Sequence, residues 1–147
     1  MDLFDAIRSS YLTAGLTDDE VRLVSKAADF VTCEPLKEIV KAKDVSYDIY
    51  VLVEGTAEVV TEAGDLITRL KTGSIIGEFA FFESGERTAT VMSHGQSTLL
   101  HFRGQDLLAL MEENPRIGMV IYRNLGKTLC SRLRSANVQI ERLVSVI

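Results

Sequence analysis

The chain has 147 residues, 46% of them apolar and 25% charged, with a formal net charge of −5. At roughly 100–200 residues per domain, this is one compact domain with a sizeable core, and both fractions exclude disorder and collagen-like repeats. The charge is unevenly placed: residues 1–115 carry ten Lys/Arg and twenty Asp/Glu, giving −10, while residues 116–147 carry six Lys/Arg and only Glu141, giving +5. A basic C-terminal segment fits a solvated helix flank, a nucleic-acid footprint, or a helix that brings positive charge over an acidic body toward an anionic ligand. Asp48 and Glu54 bracket the apolar run Ile49–Val53, so no membrane-spanning stretch is expected. The early acids Asp2 and Asp5, with no basic leader, argue against a secretory signal. Cys33 and Cys130 lie far apart and lack metal-ligand spacing, which points to reduced thiols in a cytoplasmic protein.

In chain order, residues 2–31 read as helix: Leu3, Phe4, Ile7, Tyr11 and Leu12 recur at three and four, and Gly15 breaks the run. Thr17 followed by Glu20 is a capping box that opens a second helix over Val21–Phe30, with Pro35 at the exit. Residues 36–103 change period. Tyr47–Val53, Thr56–Thr61, Leu66–Leu70, Thr88–Val91 and Thr98–Phe102 read as short strands, with Gly55 and Ala63-Gly64-Asp65 as turns. Strands at roughly 8–12-residue spacing argue for a sandwich or a barrel-like roll.

From Gly104 helix returns, with Asp106 as the expected cap, and Pro115 suits the first turn of a long final helix. Along that helix Leu129, Leu133, Ala136, Ile140, Leu143 and Ile147 step by four and three, close to a heptad seam. A stripe docked on its own roll would give the same pattern, but a helix that ends the chain has little else to cover its outer half, so pairing with a second copy is expected. These elements read as α+β, mainly β, with the sandwich or barrel-like roll between N-terminal helices and a long C-terminal helix. One domain spans 1–147, divided into helices 1–35, roll 36–103 and helices 104–147.

Enzyme motifs fail one by one. The chain has no P-loop, no HExxH and no nucleophile elbow, and two cysteines cannot hold a four-cysteine cluster. His94 and His101 alone are too few for a metal cluster in the roll, so neither catalysis nor a metal is expected.

One segment, Gly73–Val91, stands apart. It reads as a tight turn, a helical turn opened by Gly77-Glu78, a Ser84-Gly85 connection and a strand that begins at Arg87. The first amides of a helical turn attract anions, an arginine can clamp a phosphate through two bonds, and a carboxylate suits a sugar hydroxyl. The same spacing fits an ordinary surface hairpin in which Glu78 and Arg87 pair, and on spacing alone that reading is the better supported, such pairs contributing only ~0–1 kcal/mol.

Gly77-Glu78-Phe79-Ala80, followed by Arg87-Thr88-Ala89-Thr90-Val91, resembles the phosphate-binding cassette of cyclic nucleotide-binding domains, the family of the catabolite activator protein and kinase regulatory subunits. Tyr50–Val59 resembles that family's strand–Gly–strand, Gly73-Ser74 its glycine before the cassette, and the terminal helices fall in family order. The resemblance implies a jelly-roll-like β-roll flanked by N-terminal helices and a long C-terminal helix. It also implies that Arg87 holds the cyclic phosphate, that Glu78 accepts from the ribose 2′-hydroxyl, and that amides near Phe79 and Ala80 complete the cradle. Thr88 would reach a phosphate oxygen or the purine. The implied ligand-binding set is Gly77, Glu78, Phe79, Ala80, Arg87, Thr88 and Ala89, with Asn137 of the final helix as a base contact. Two departures stand out: Lys43-Asp44 replaces a usual Gly-acid pair, and Glu86 replaces the common proline.

The bacterial regulators of the family carry a winged helix-turn-helix after the long helix, whereas this sequence stops at Ile147, so direct DNA reading is not expected. The implied function is a sensor of cAMP, with cGMP the weaker ligand, acting as a homodimer on a downstream protein that the sequence does not name. The rival is an interaction module on the same roll that has lost its nucleotide. Retention of both Arg87 and Glu78 argues against that rival.

Overall fold

Five consecutive apolar residues, Ile49–Val53, cannot alternate between a wet and a dry face, so their strand has to be covered on both sides. In the computed structural model, which describes residues 1–83 and 85–146, it is. Ser84 of the expected connection and Ile147 of the expected seam lie outside the described residues. The chain opens with helix α1 (Leu3–Arg8), a 3-10 turn at Tyr11–Thr13 and helix α2 (Asp18–Ser25). Strands β1 (Ala28–Cys33), β2 (Glu38–Val40), β3 (Ile49–Glu54), β4 (Ala57–Val60), β5 (Leu66–Leu70) and β6 (Ile75–Ile76) follow. Helix α3 (Glu78–Glu83) precedes β7 (Thr90–Ser93) and β8 (Ser97–Phe102), and α4 (Gly104–Glu113) and α5 (Pro115–Val146) close the described chain.

The strands form two antiparallel sheets, ordered β1-β8-β3-β6 and β2-β7-β4-β5. Alternation along β3 places Ile49 and Val51 in the core under the helices, and Leu52 in a smaller core shared with Val40, Ala57, Ile76, Val91 and Leu99. The helical side adds Ile7, Leu12, Val24, Leu107, Ile117, Ile121 and Leu125, so α1, α2, α4 and the first half of α5 cover one sheet while the second sheet covers its other face. The fold is the mainly β, jelly-roll-like roll with N-terminal helices and a long C-terminal helix that the sequence leads one to expect.

Several local expectations change. The strand expected from Arg87 begins only at Thr90. The second helix begins at the predicted capping box, Thr17 Oγ1 accepting from the Glu20 amide and Glu20 from the Thr17 amide, but it stops at Ser25 rather than Phe30. Residues 28–33 are strand instead, each paired with β8 from Ala28↔Phe102 to Cys33↔Ser97. Aromatic and β-branched residues at Phe30, Val31 and Thr32 fit this sheet edge, and the tertiary pairing overrides local helical spacing. Asp106 does not cap α4; it accepts from Arg103 Nε at 2.7 Å, and the Gly104 amide instead donates to Asp48 Oδ1 at 2.8 Å. The Lys43-Asp44 turn keeps a left-handed backbone without its glycine, Lys43 standing at φ +74°.

On α5, Leu133, Ile140 and Leu143 of the expected seam are 63%, 56% and 68% exposed, with Val138 and Val144 beside them. Leu129 is half-buried and Ala136 faces a cavity described below. No helix among the described residues is long and apolar enough to cross a membrane.

Candidate ligand-binding site

The site is built where β6 hands over to α3. Gly77, between them, has φ +94°, and a Cβ there would lie 2.4 Å from Arg87 Nη1 and 2.8 Å from the Asp48 carbonyl oxygen. Only glycine lets the chain turn this close to a buried guanidinium. The turn projects Glu78 inward, and the short connection after α3 brings Arg87 back beside it, just ahead of β7.

Glu78 is 1% exposed and Arg87 5% exposed, and they do not pair with each other. The surface-hairpin reading therefore fails. Arg87 donates through Nη1 to the Gly77 carbonyl at 3.0 Å, and through Nη2 to the Asp48 carbonyl at 2.7 Å and Ser46 Oγ at 3.3 Å. Among the described residues, no carboxylate lies within ion-pair distance of it. Burial lowers the Arg87 pKa, while Tyr50, Asp48 and Asp44 nearby act in the opposite direction. Arginine stays charged regardless, so a buried cation rests here on neutral oxygens.

Glu78 pairs instead with Arg132 of α5, which also donates to the Ile75 carbonyl. Burial lowers the Arg132 pKa as well. The second carboxylate oxygen, Glu78 Oε2, is buried and has no hydrogen-bond partner among the described residues.

Both groups line a cavity of about 400 Å³. Apolar side chains of the roll, among them Val59, Ile67, Leu70 and Val91, form its walls, and α5 lies across its mouth with Arg132, Ser135, Ala136 and Gln139. Gly77, Glu78, Phe79, Ala80, Arg87, Thr88 and Ala89 all line it. Asn137 does not: it is exposed, outside the lining. Residues 132, 135, 136 and 139 share one helical face by their spacing of three, four and seven, and a five-residue step from 132 to 137 turns about 140° off it. The spacing groups these residues on one face, but only the structure shows that this face meets the cavity, which is why motif reasoning missed Arg132 and Gln139. The cavity is of ordinary size for a small-molecule site, mostly apolar with a few convergent polar groups. It offers an anion a buried cation, and a hydroxyl an unpartnered acceptor.

Comparison with known proteins gives a consistent picture. Residues 30–114 match the family model described as cyclic nucleotide-binding domain. A cAMP-dependent protein kinase regulatory subunit of Mucor circinelloides f. lusitanicus is 32% identical over 88 residues, covering 58% of this chain and 21% of that protein. A cyclic AMP receptor protein of Thermus thermophilus is 26% identical over 141 residues, covering 93% of this chain and 63% of that protein. The chain thus spans less than two thirds of the length of either relative. A solved cyclic nucleotide-binding domain from Methylobacillus flagellatus superposes with a TM-score of 0.86 at 18% identity, over 95% of this chain and 83% of that one, which is a likeness of fold.

Proposed function

Since the chain belongs to the cyclic nucleotide-binding domain family, we propose that it is a non-catalytic sensor that binds cAMP, and cGMP more weakly, in the cavity between the roll and α5. The observation that carries this reading is a pair of groups in one cavity. Buried Arg87 rests on neutral oxygens and, among the described residues, has no carboxylate beside it, and buried Glu78 Oε2 has no donor among those residues. A cyclic phosphate supplies the missing anion, and the adjoining ribose 2′-hydroxyl supplies the missing donor. Thr88 is exposed at the cavity edge, where its hydroxyl would meet a phosphate oxygen or the purine. The apolar walls and the α5 face with Ser135 and Gln139 are left for the base.

The preference for cAMP over cGMP rests on small contacts. A single hydroxyl or amide contact nets about 0.5–1.5 kcal/mol, which grades two purines without excluding either. The relatives named for cAMP support that order by analogy.

The exposed Leu133, Ile140 and Leu143 support assembly as a two-fold dimer through α5. The free thiols of Cys33 and Cys130 fit a reducing, cytoplasmic setting. The downstream partner would be a protein rather than DNA read directly by these residues.

Thermal unfolding with and without each nucleotide tests the assignment, because a ligand at ~100 times its dissociation constant stabilises the folded state by roughly 2.7 kcal/mol. A rise with cAMP, and a smaller one with cGMP at the same concentration, is expected. No rise with either nucleotide contradicts the reading.

A further inference from the structure

Asp48 is where the clamp arginine and the C-terminal helices meet. Its carbonyl accepts from Arg87 Nη2 at 2.7 Å, while its side chain turns the other way. Oδ1 accepts the Gly104 amide at 2.8 Å, and Oδ2 lies 2.7 Å from His101 Nε2. Gly104 is the first residue of α4, whose preceding residue Arg103 contributes no side-chain cap. From 56 residues away, Asp48 therefore does what a local N-cap carboxylate does: it satisfies an orphan amide and sets negative charge at the positive end of the helix. The packing at both ends is tight. A Cβ on Gly104 would lie 2.5 Å from the Tyr47 carbonyl oxygen, and one on Gly77 would lie 2.8 Å from the Asp48 carbonyl oxygen.

We infer that Asp48 is a positioning residue for nucleotide binding, a two-ended tie that fixes Arg87 from the N-terminus of α4. The inference rests on the reading of Arg87 as the phosphate clamp. A guanidinium held ready loses less freedom when the anion arrives, so the tie strengthens binding through preorganisation. The coupling is reciprocal: a phosphate that anchors Arg87 steadies the Asp48 backbone and with it the cap on α4. Helix α4 packs on α5, so the cap also joins the clamp to the helix across the cavity.

Two substitutions test the tie. Asp48→Ala removes both side-chain bonds, whereas Asp48→Asn keeps an oxygen for the Gly104 amide. Calorimetric titration with cAMP should give a dissociation constant about tenfold higher for Asp48→Ala, and within about threefold of wild type for Asp48→Asn. Hydrogen exchange at Gly104 should slow with cAMP in the wild type and show no such slowing in Asp48→Ala. A merely structural role would leave that cAMP-dependent slowing in place. Without nucleotide, Arg87→Ala should speed exchange at Gly104 in the wild-type background and add nothing in the Asp48→Ala background. That cycle decides the tie even if the wild type fails to bind cAMP, a result that would overturn the clamp reading alone. Should Asp48→Ala not fold, the Arg87→Ala exchange measurement still decides, faster exchange at Gly104 supporting the tie and unchanged exchange overturning it. Unaltered cAMP affinity in folded Asp48→Ala, or additive exchange effects in the double variant, also overturns it.

Discussion

Arg132 of α5 reaches across the mouth of the cavity to the carboxylate of Glu78, the residue that opens α3. The contact ties the C-terminal helix to the cassette and leaves Glu78 Oε2 without a partner among the described residues. Removing Arg132 strands a carboxylate that is almost wholly buried. Arg132→Ala should therefore lower stability by about 1–3 kcal/mol, and adding Glu78→Gln should recover part of the loss by removing the unpaired charge. Urea unfolding of the two single variants and the double variant measures this, and strict additivity would contradict the pairing.

Gly77 bears on binding through backbone alone. With φ at +94° and a would-be Cβ 2.4 Å from Arg87, Gly77→Ala should both strain the turn and displace the guanidinium. The expected loss of stability is about 1–3 kcal/mol, accompanied by weakened cAMP binding. Gly85→Ala, where a Cβ meets nothing within 4 Å, is the matched control and should leave binding unchanged.

Acid sensitivity should have a contribution from Glu20. Its pKa is lowered by the hydrogen bond from the Thr17 amide and then by Arg116. A lowered folded-state value means that this contribution is present in full above the ordinary value of 4.5, and is lost as pH falls through the lowered one. Glu20→Gln should therefore be less stable than wild type at neutral pH, with the gap closing in acid below pH 4.5. Thermal unfolding at a series of pH values reads the gap. A gap that widens in acid would have the wrong sign.

The proposed dimer makes a plain prediction. Ile140 is 56% exposed on α5, and a charge at the seam would be buried twice across a two-fold axis. Ile140→Glu should convert a dimer to a monomer in light scattering at micromolar concentration. A wild-type chain that is already monomeric contradicts the seam.

Much of this molecule is legible in its sequence because the signals are local. The capping box at Thr17 and Glu20, the strand Leu66–Leu70 and the start of α5 at Pro115 each rest on neighbours within a few residues, and the structure has them as expected. Where the deciding partner lies far along the chain, local reading fails. The strand at Ala28–Cys33 exists because β8 pairs with it, and α4 is capped by Asp48 rather than Asp106. The site divides in the same way. All seven cassette residues line the cavity because they are contiguous with a recognisable turn, whereas Arg132 joins them only through a helix that returns 54 residues later.

The central claim is that Arg87 is the anion clamp of a nucleotide site, and calorimetric titration of cAMP into wild type and Arg87→Ala tests it most directly. Truncating one side of a desolvated charge pair costs about 2–5 kcal/mol. At 1.4 kcal/mol per decade, the variant should bind roughly 30-fold to several-thousand-fold more weakly while remaining folded. Equal affinities for cAMP in the two proteins would contradict the account.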